Sequence, residues 1–162
     1  MKMSTRLILA ACLTLPVLAA CQKEEATEVV EAAPVAKPTT SDENAWAEYL
    51  TDIVKRNVGD ASSVYLYTLP AADSADYEGE YQRQLEKAQT DVMRGGVSGT
   101  LLAYGSPDSA KTADLAVASF EMAQSGSMKG VRVLFIGDNA DFARVKTAVE
   151  PSGAVFQFVE AK

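Results

Sequence analysis

Residues 131–136 read Val-Arg-Val-Leu-Phe-Ile, the most apolar stretch beyond the first twenty residues, with Arg132 its one polar member. A short run rich in β-branched and aromatic residues favours a strand over a helix. Because this one does not alternate with polar residues, it keeps no face for water and must be covered on both sides, as in a parallel sheet flanked by helices. Parallel neighbours cannot be joined by a tight turn; each crossover needs a dozen or more residues, usually a helix. The run therefore predicts a central strand and requires helices around it.

The rest of the chain supplies them. Trp46, Tyr49, Leu50, Ile53 and Val54 recur at helical spacing and mark one apolar face of a first helix. Thr40 and Glu43 fit the capping-box spacing at its start, and Gly59 suits its end. Residues 64–69 predict a strand closed by Pro70, with Tyr65 and Tyr67 alternating with Val64 and Leu66 so that both pairs face buried sides. Tyr77, Tyr81, Leu85, Ala88 and Val92 mark a second helix, stopped by Gly95-Gly96.

Residues 100–104 form a further strand-like run. Ser106 as N-cap and Pro107 at the first helical position then open a third helix, with Ala113, Ala116, Val117, Phe120 and Ala123 inward. After the central strand, Gly137-Asp138-Asn139 turns into a fourth helix bearing Phe142, Val145 and Val149. Pro151-Ser152-Gly153 ends that helix, and residues 154–159 make a last strand whose Gln157 suits an edge. The order α-β-α-β-α-β-α-β over residues 42–162 predicts an α/β fold. It is a single three-layer domain with a mainly parallel four-stranded sheet.

The N-terminus follows a different logic. Lys2 and Arg6 precede an apolar segment at 7–18, and Leu18-Ala19-Ala20-Cys21 follows at once. A basic start, an apolar stretch of about a dozen residues and small residues before a cut are the parts of a secretory signal. The segment falls short of the roughly 20 residues a membrane span needs. Leu18-Ala19-Ala20-Cys21 resembles the lipobox of the bacterial lipoprotein class. That resemblance implies cleavage of residues 1–20, a lipid on the Cys21 thiol, and a membrane partner reached through the lipid. Gln22 in the next position implies sorting to the outer membrane rather than the inner. Residues 21–41, rich in Ala, Glu, Val, Pro and Thr, are expected to form a flexible tether. About 20 residues of such chain reach some 25 Å.

Composition then removes whole classes of function. Loss of residues 1–20 takes Lys plus Arg from 15 to 13 against 22 Asp plus Glu, so the mature chain stands near −9. Such a charge repels nucleic acid phosphates and anionic lipid surfaces, and it permits a basic protein partner or simply a well-solvated surface. Histidine is absent, and the two cysteines are Cys12 in the signal and Cys21 at the lipid site. A Ser-His-Asp or Cys-His centre, a zinc site built on His or Cys, and haem held by an axial His or Cys are all excluded. Chemistry would fall to carboxylates, Lys, Tyr or hydroxyls.

In open parallel sheets, ligands sit beyond the carboxyl ends of the strands. The residues expected there are Asp73, Asp76, Ser106, Asp108, Asp138, Asn139 and Asp141. Oxygen ligands of this kind suit hard cations, but Asp, Asn and Ser are also what helix N-termini prefer. The calcium-loop pattern fails from Asp138, where Ala143 and Val149 fill the glycine and terminal-acid positions, and from Asp76, where Tyr81 and Lys87 fill them. Gly105-Ser106-Pro107-Asp108 lacks the glycines and lysine of a phosphate loop. No catalytic residue, metal set or cofactor is assigned.

The expectation is a lipid-anchored periplasmic binding or accessory protein of the bacterial cell envelope. It is read as non-enzymatic, and an inhibitor or immunity-type lipoprotein is one form it would take. The alternative is a carboxylate-dependent envelope hydrolase working at the strand ends.

Overall fold

In the computed structural model, which describes residues 33–162, each apolar run becomes a strand and each amphipathic stretch a helix. The elements are α1 (Glu43–Asn57), β1 (Ser63–Tyr67), α2 (Tyr77–Met93), β2 (Thr100–Gly105), α3 (Ser109–Phe120), β3 (Arg132–Gly137), α4 (Asn139–Val149) and β4 (Val155–Glu160). A single 3-10 turn, Glu150–Ser152, leads into β4. The expected signal peptide, Cys21 and the expected tether as far as residue 32 lie outside the described residues.

All four strands are parallel and lie in the order β1-β2-β3-β4. Right-handed crossovers that always step the same way put their helices on one face. The packing matches: Tyr67, Leu102, Tyr104, Val133 and Phe135 meet α2, α3 and α4 through Ala88, Val92, Leu115, Phe120 and Val145. The opposite face belongs to α1, whose Trp46, Tyr49, Leu50, Ile53 and Val54 cover Leu101, Ala103, Leu134 and Ile136. Three layers result, unequally filled.

One helix cannot cover four strands, so burial concentrates on β2 and β3. Every β2 position is buried, and in β3 the exception is Arg132. That arginine donates to the carbonyls of Asn57 and Val58. A cation there satisfies the last acceptors of α1 and suits its negative end. Gly105 lets α1 come close: a Cβ at that position would lie 2.6 Å from Leu50 Cδ2. Gln157 on the outer strand β4 donates to Asn57 Oδ1 at 2.6 Å, which accounts for a polar residue in the middle of that strand.

The structure corrects the sequence reading at four places. The N-cap of α1 is Asp42, whose carboxylate accepts from Ala45 N at 2.8 Å; Thr40 instead offers its carbonyl to Trp46 Nε1. The N-cap of α3 is Asp108 and not Ser106, with Asp108 Oδ1 accepting from Lys111 N at 3.0 Å. An ionised cap gains from the helix dipole as well as from the hydrogen bond, so the aspartate takes each start. On β1, Tyr67 is buried but Val64 and Tyr65 remain 41% and 42% exposed, because β1 is an edge strand and α1 lies over the middle of the sheet.

The fourth correction concerns residues 33–41, read from composition as the end of the tether. They lie against the domain, and the compact unit begins at Ala33. Val35 N donates to Asp52 Oδ2 at 3.1 Å, Lys37 Nζ donates to Ala161 O at 3.3 Å, and the Val35 side chain packs on the α1-face core. Composition cannot register that a single valine meets apolar surface which one helix leaves open.

Candidate functional site

Because the sheet is parallel, the segments after β1, β2 and β3 share one edge. Of the residues expected there, Asp73 is exposed in the β1–α2 loop. Asp76 is the N-cap of α2 and pairs with Arg83 at 2.7 Å, and the same guanidinium takes Glu80 at 2.7 Å. These carboxylates, Glu80 foremost, hold the Arg83 charge well above the ordinary arginine range. Ser106 is buried and structural: its hydroxyl donates to Asp108 O at 3.0 Å and lies 2.5 Å from Thr112 Oγ1.

The fourth helix gathers the remaining expected residues. Asn139 is exposed at its first position, and the exposed Asp138 carboxylate stands 3.8 Å from Lys37 Nζ. Asp141 accepts from Ser109 Oγ at 2.6 Å, and Ser109 Oγ accepts in turn from Asp138 N at 2.7 Å. Arg144 then joins Asp141 to Asp114 and donates to Ala110 O. This cluster clips the start of α4 to the start of α3. Its serine has no histidine to take a proton, and its two carboxylates are held on one guanidinium.

The edge therefore brings together Ser109, Asp114, Asp138, Asp141 and Arg144, while Asp76 and Asp108 serve their own helices. Among the described residues no group of three or more His, Cys, Asp or Glu is placed to hold a metal ion.

A groove that the sequence did not announce opens beside this edge. It has a volume of about 540 Å³ and lies between the first half of α1 and the β1–α2 connection. Trp46, Leu50, Leu66 and Leu69 give it an apolar floor; Glu43, Asp76 and Glu80 stand on its rim, the last two paired with Arg83. Ser74 Oγ and Gln84 Oε1, both on residues of its wall, are buried without a hydrogen-bond partner. In sequence, Trp46 and Leu50 read as core and nothing tied them to the later loop between β1 and α2. Their burial was legible; their place on the wall of a groove was not. An apolar floor with Glu43 at its rim suits an aliphatic stem with a cationic head, the form of a lysine or arginine side chain.

The buried tyrosines form a second polar cluster, inside the three-helix layer. Tyr67 OH donates to Asp91 Oδ2 at 2.7 Å, and its ring stacks on Tyr104 with centroids 4.8 Å apart. Burial, followed by the neighbouring Tyr104 and Asp91, pushes the Tyr67 hydroxyl far above the ordinary tyrosine range. Burial raises Tyr104 as well, and takes Tyr77, beside the strand-end edge, up to about 12. Phenols held neutral in this way hold structure and are poor proton donors at neutral pH. Set against known proteins, the chain matches no protein family, no curated protein and no solved structure.

Proposed function

We propose that this chain is a lipid-anchored accessory protein of the bacterial cell envelope, which binds another protein from the periplasmic side of the outer membrane. The observation that carries the reading is Leu18-Ala19-Ala20-Cys21 at the end of a basic-then-apolar leader, followed by Gln22. Anchoring at Cys21 leaves the domain free to meet partners close to its membrane. The acidic balance of the chain, and Glu43 at the rim of the groove beside Trp46, support a partner that presents basic side chains. An inhibitor or immunity role against a basic enzyme is one form of this reading. The hydrolase alternative calls for strand-end aspartates facing each other across one cleft; of the five, Asp76 alone lines the groove, and it is held by Arg83.

The test is a fractionation of cells expressing the wild-type chain and Cys21→Ser. Wild type is expected in the outer-membrane fraction with a mass increased by the lipid, and the variant without lipid and released from the membrane. Identical fractionation of the two would refute the anchor.

A further inference from the structure

Alone on its face of a four-stranded sheet, α1 leaves a slot along each flank. The slot toward the end of β4 is filled by the chain itself, through a strap of residues 33–41. Its hold has three parts. The Val35 side chain packs on the α1-face core, and the Val35 N–H donates to the Asp52 carboxylate at 3.1 Å. Lys37 brings its ammonium to Ala161 O at 3.3 Å and to 3.8 Å from the Asp138 carboxylate. Pro34 and Pro38 keep the strap out of a helix. An aliphatic residue and a cation two positions later thus serve one flank of α1.

The slot toward β1 is the groove beside Trp46, and there the same three kinds of group stand unused. Leu66 of β1 lies half-buried on the floor. Ser74 Oγ and Gln84 Oε1, on residues of the wall, have no hydrogen-bond partner. Glu43 at the rim meets no cation among the described residues, whereas Asp76 and Glu80 are already held by Arg83. One free carboxylate asks for one cation, and not for a broad basic surface.

Length and charge then limit the occupant. From Glu43 to Thr51 the groove follows about 12 Å of helix, which about four extended residues would cover. The chain ahead of the strap carries the wrong charge for this rim: residues 22–32 set Lys23 against Glu24, Glu25, Glu28 and Glu31. A segment from another protein is left as the occupant.

We propose that the groove between α1 and the β1–α2 connection takes a short extended segment of a partner protein, with an aliphatic residue over Leu66 and a Lys or Arg two positions away on Glu43. The backbone N–H groups of the segment supply the donors that Ser74 and Gln84 lack, as Val35 supplies one to Asp52 on the opposite flank. This contact rests on the reading of the chain as a protein-binding module and is independent of the lipid.

Trp46 is the single tryptophan of the chain and lines the groove, so its fluorescence reports the occupant. The probes are peptides added to the full chain: three repeats of Val-Ala-Lys-Thr, of Val-Ala-Glu-Thr or of Ser-Ala-Lys-Thr. The first should shift Trp46 emission saturably. Reversing its charge should weaken binding by about fivefold or more, and replacing its valine by about tenfold. Ala47→Arg, at an exposed position, sets a cation four residues after Glu43 and claims that carboxylate within the helix. It should weaken the first peptide with the circular dichroism unchanged. Asp52→Ala, which removes an acceptor of the strap, should leave the affinity as it was. The proposal is overturned by equal binding of the three peptides, or by an unshifted Trp46 emission at about 1 mM of the first. Tighter binding to Asp52→Ala overturns it too, since the peptide would then sit in the place of the strap. A protein from envelope extract held equally by the wild-type chain and by Ala47→Arg overturns the groove contact and leaves the protein-binding reading standing.

Discussion

At the residue scale, the contact between Tyr67 and Asp91 shows what alternation along a strand can and cannot convey. The period of β1 marks Tyr67 as inward, yet the partner of its hydroxyl sits 24 residues later on α2, a distance that no local pattern spans. A hydrogen bond to a charged acceptor contributes about 1.5–3 kcal/mol, more than one between neutral groups. Tyr67→Phe keeps the ring stacked on Tyr104 and removes that bond alone. Asp91 retains Arg94 at 3.6 Å, so the variant should fold with its stability lowered by about that amount. Urea unfolding is the measurement, with an unchanged slope expected; a loss under about 0.5 kcal/mol would mean that water takes over the bond without cost.

At the scale of elements, every helix and strand was legible, the helices from their 3.6 period and the strands from short runs rich in apolar, β-branched and aromatic residues. The helix starts were less so. Around α1 and α3, Thr40 and Ser106 compete as caps with Asp42 and Asp108, and the outcome depends on which side chain also gains from the dipole and which is drawn into the core. The strap formed by residues 33–41 was the hardest to read, since its hold on α1 rests on single contacts and no period. Arg56 foremost, and then the Val35 N–H, keep the Asp52 carboxyl below the ordinary aspartate range. A depressed folded value means that the stabilisation is present above the unfolded pKa and is lost as pH falls through the folded one. Hydrogen exchange should therefore show the Val35 amide protected at neutral pH, with the protection factor falling only when pH drops below the ordinary carboxyl range. In Asp52→Ala the protection should be low at every pH. Protection that is independent of both pH and Asp52 would place the hold of the strap elsewhere.

For the molecule as a whole, a mainly parallel sheet followed from the alternating elements, but the strand order did not, because nothing local distinguishes a crossover that continues from one that doubles back. The order β1-β2-β3-β4 has a consequence of its own: with no reversal between strands there is no switch-point crevice, and the groove forms instead where α1 meets the β1–α2 connection. The same arrangement concentrates tyrosines in or beside the two cores. Burial is the first cause of a raised pKa at Tyr49, Tyr67, Tyr77, Tyr81 and Tyr104 alike. In the unfolded chain each of these phenols ionises near 10. Where the folded value is the higher one, the folded state holds the proton longer, so the stabilisation is complete below about pH 10 and drains away as pH rises beyond it. Each such tyrosine removes up to about 1.4 kcal/mol per pH unit above that point. Several together should unfold the domain in one steep alkaline transition, driven further by a net charge that is already negative. Tyrosinate absorbance and helical circular dichroism should then change together above about pH 10. Removing one contributor with Tyr104→Phe should make the transition shallower. Stepwise ionisation of these five phenols near pH 10 with the helix signal intact would mean that water reaches them in the folded domain.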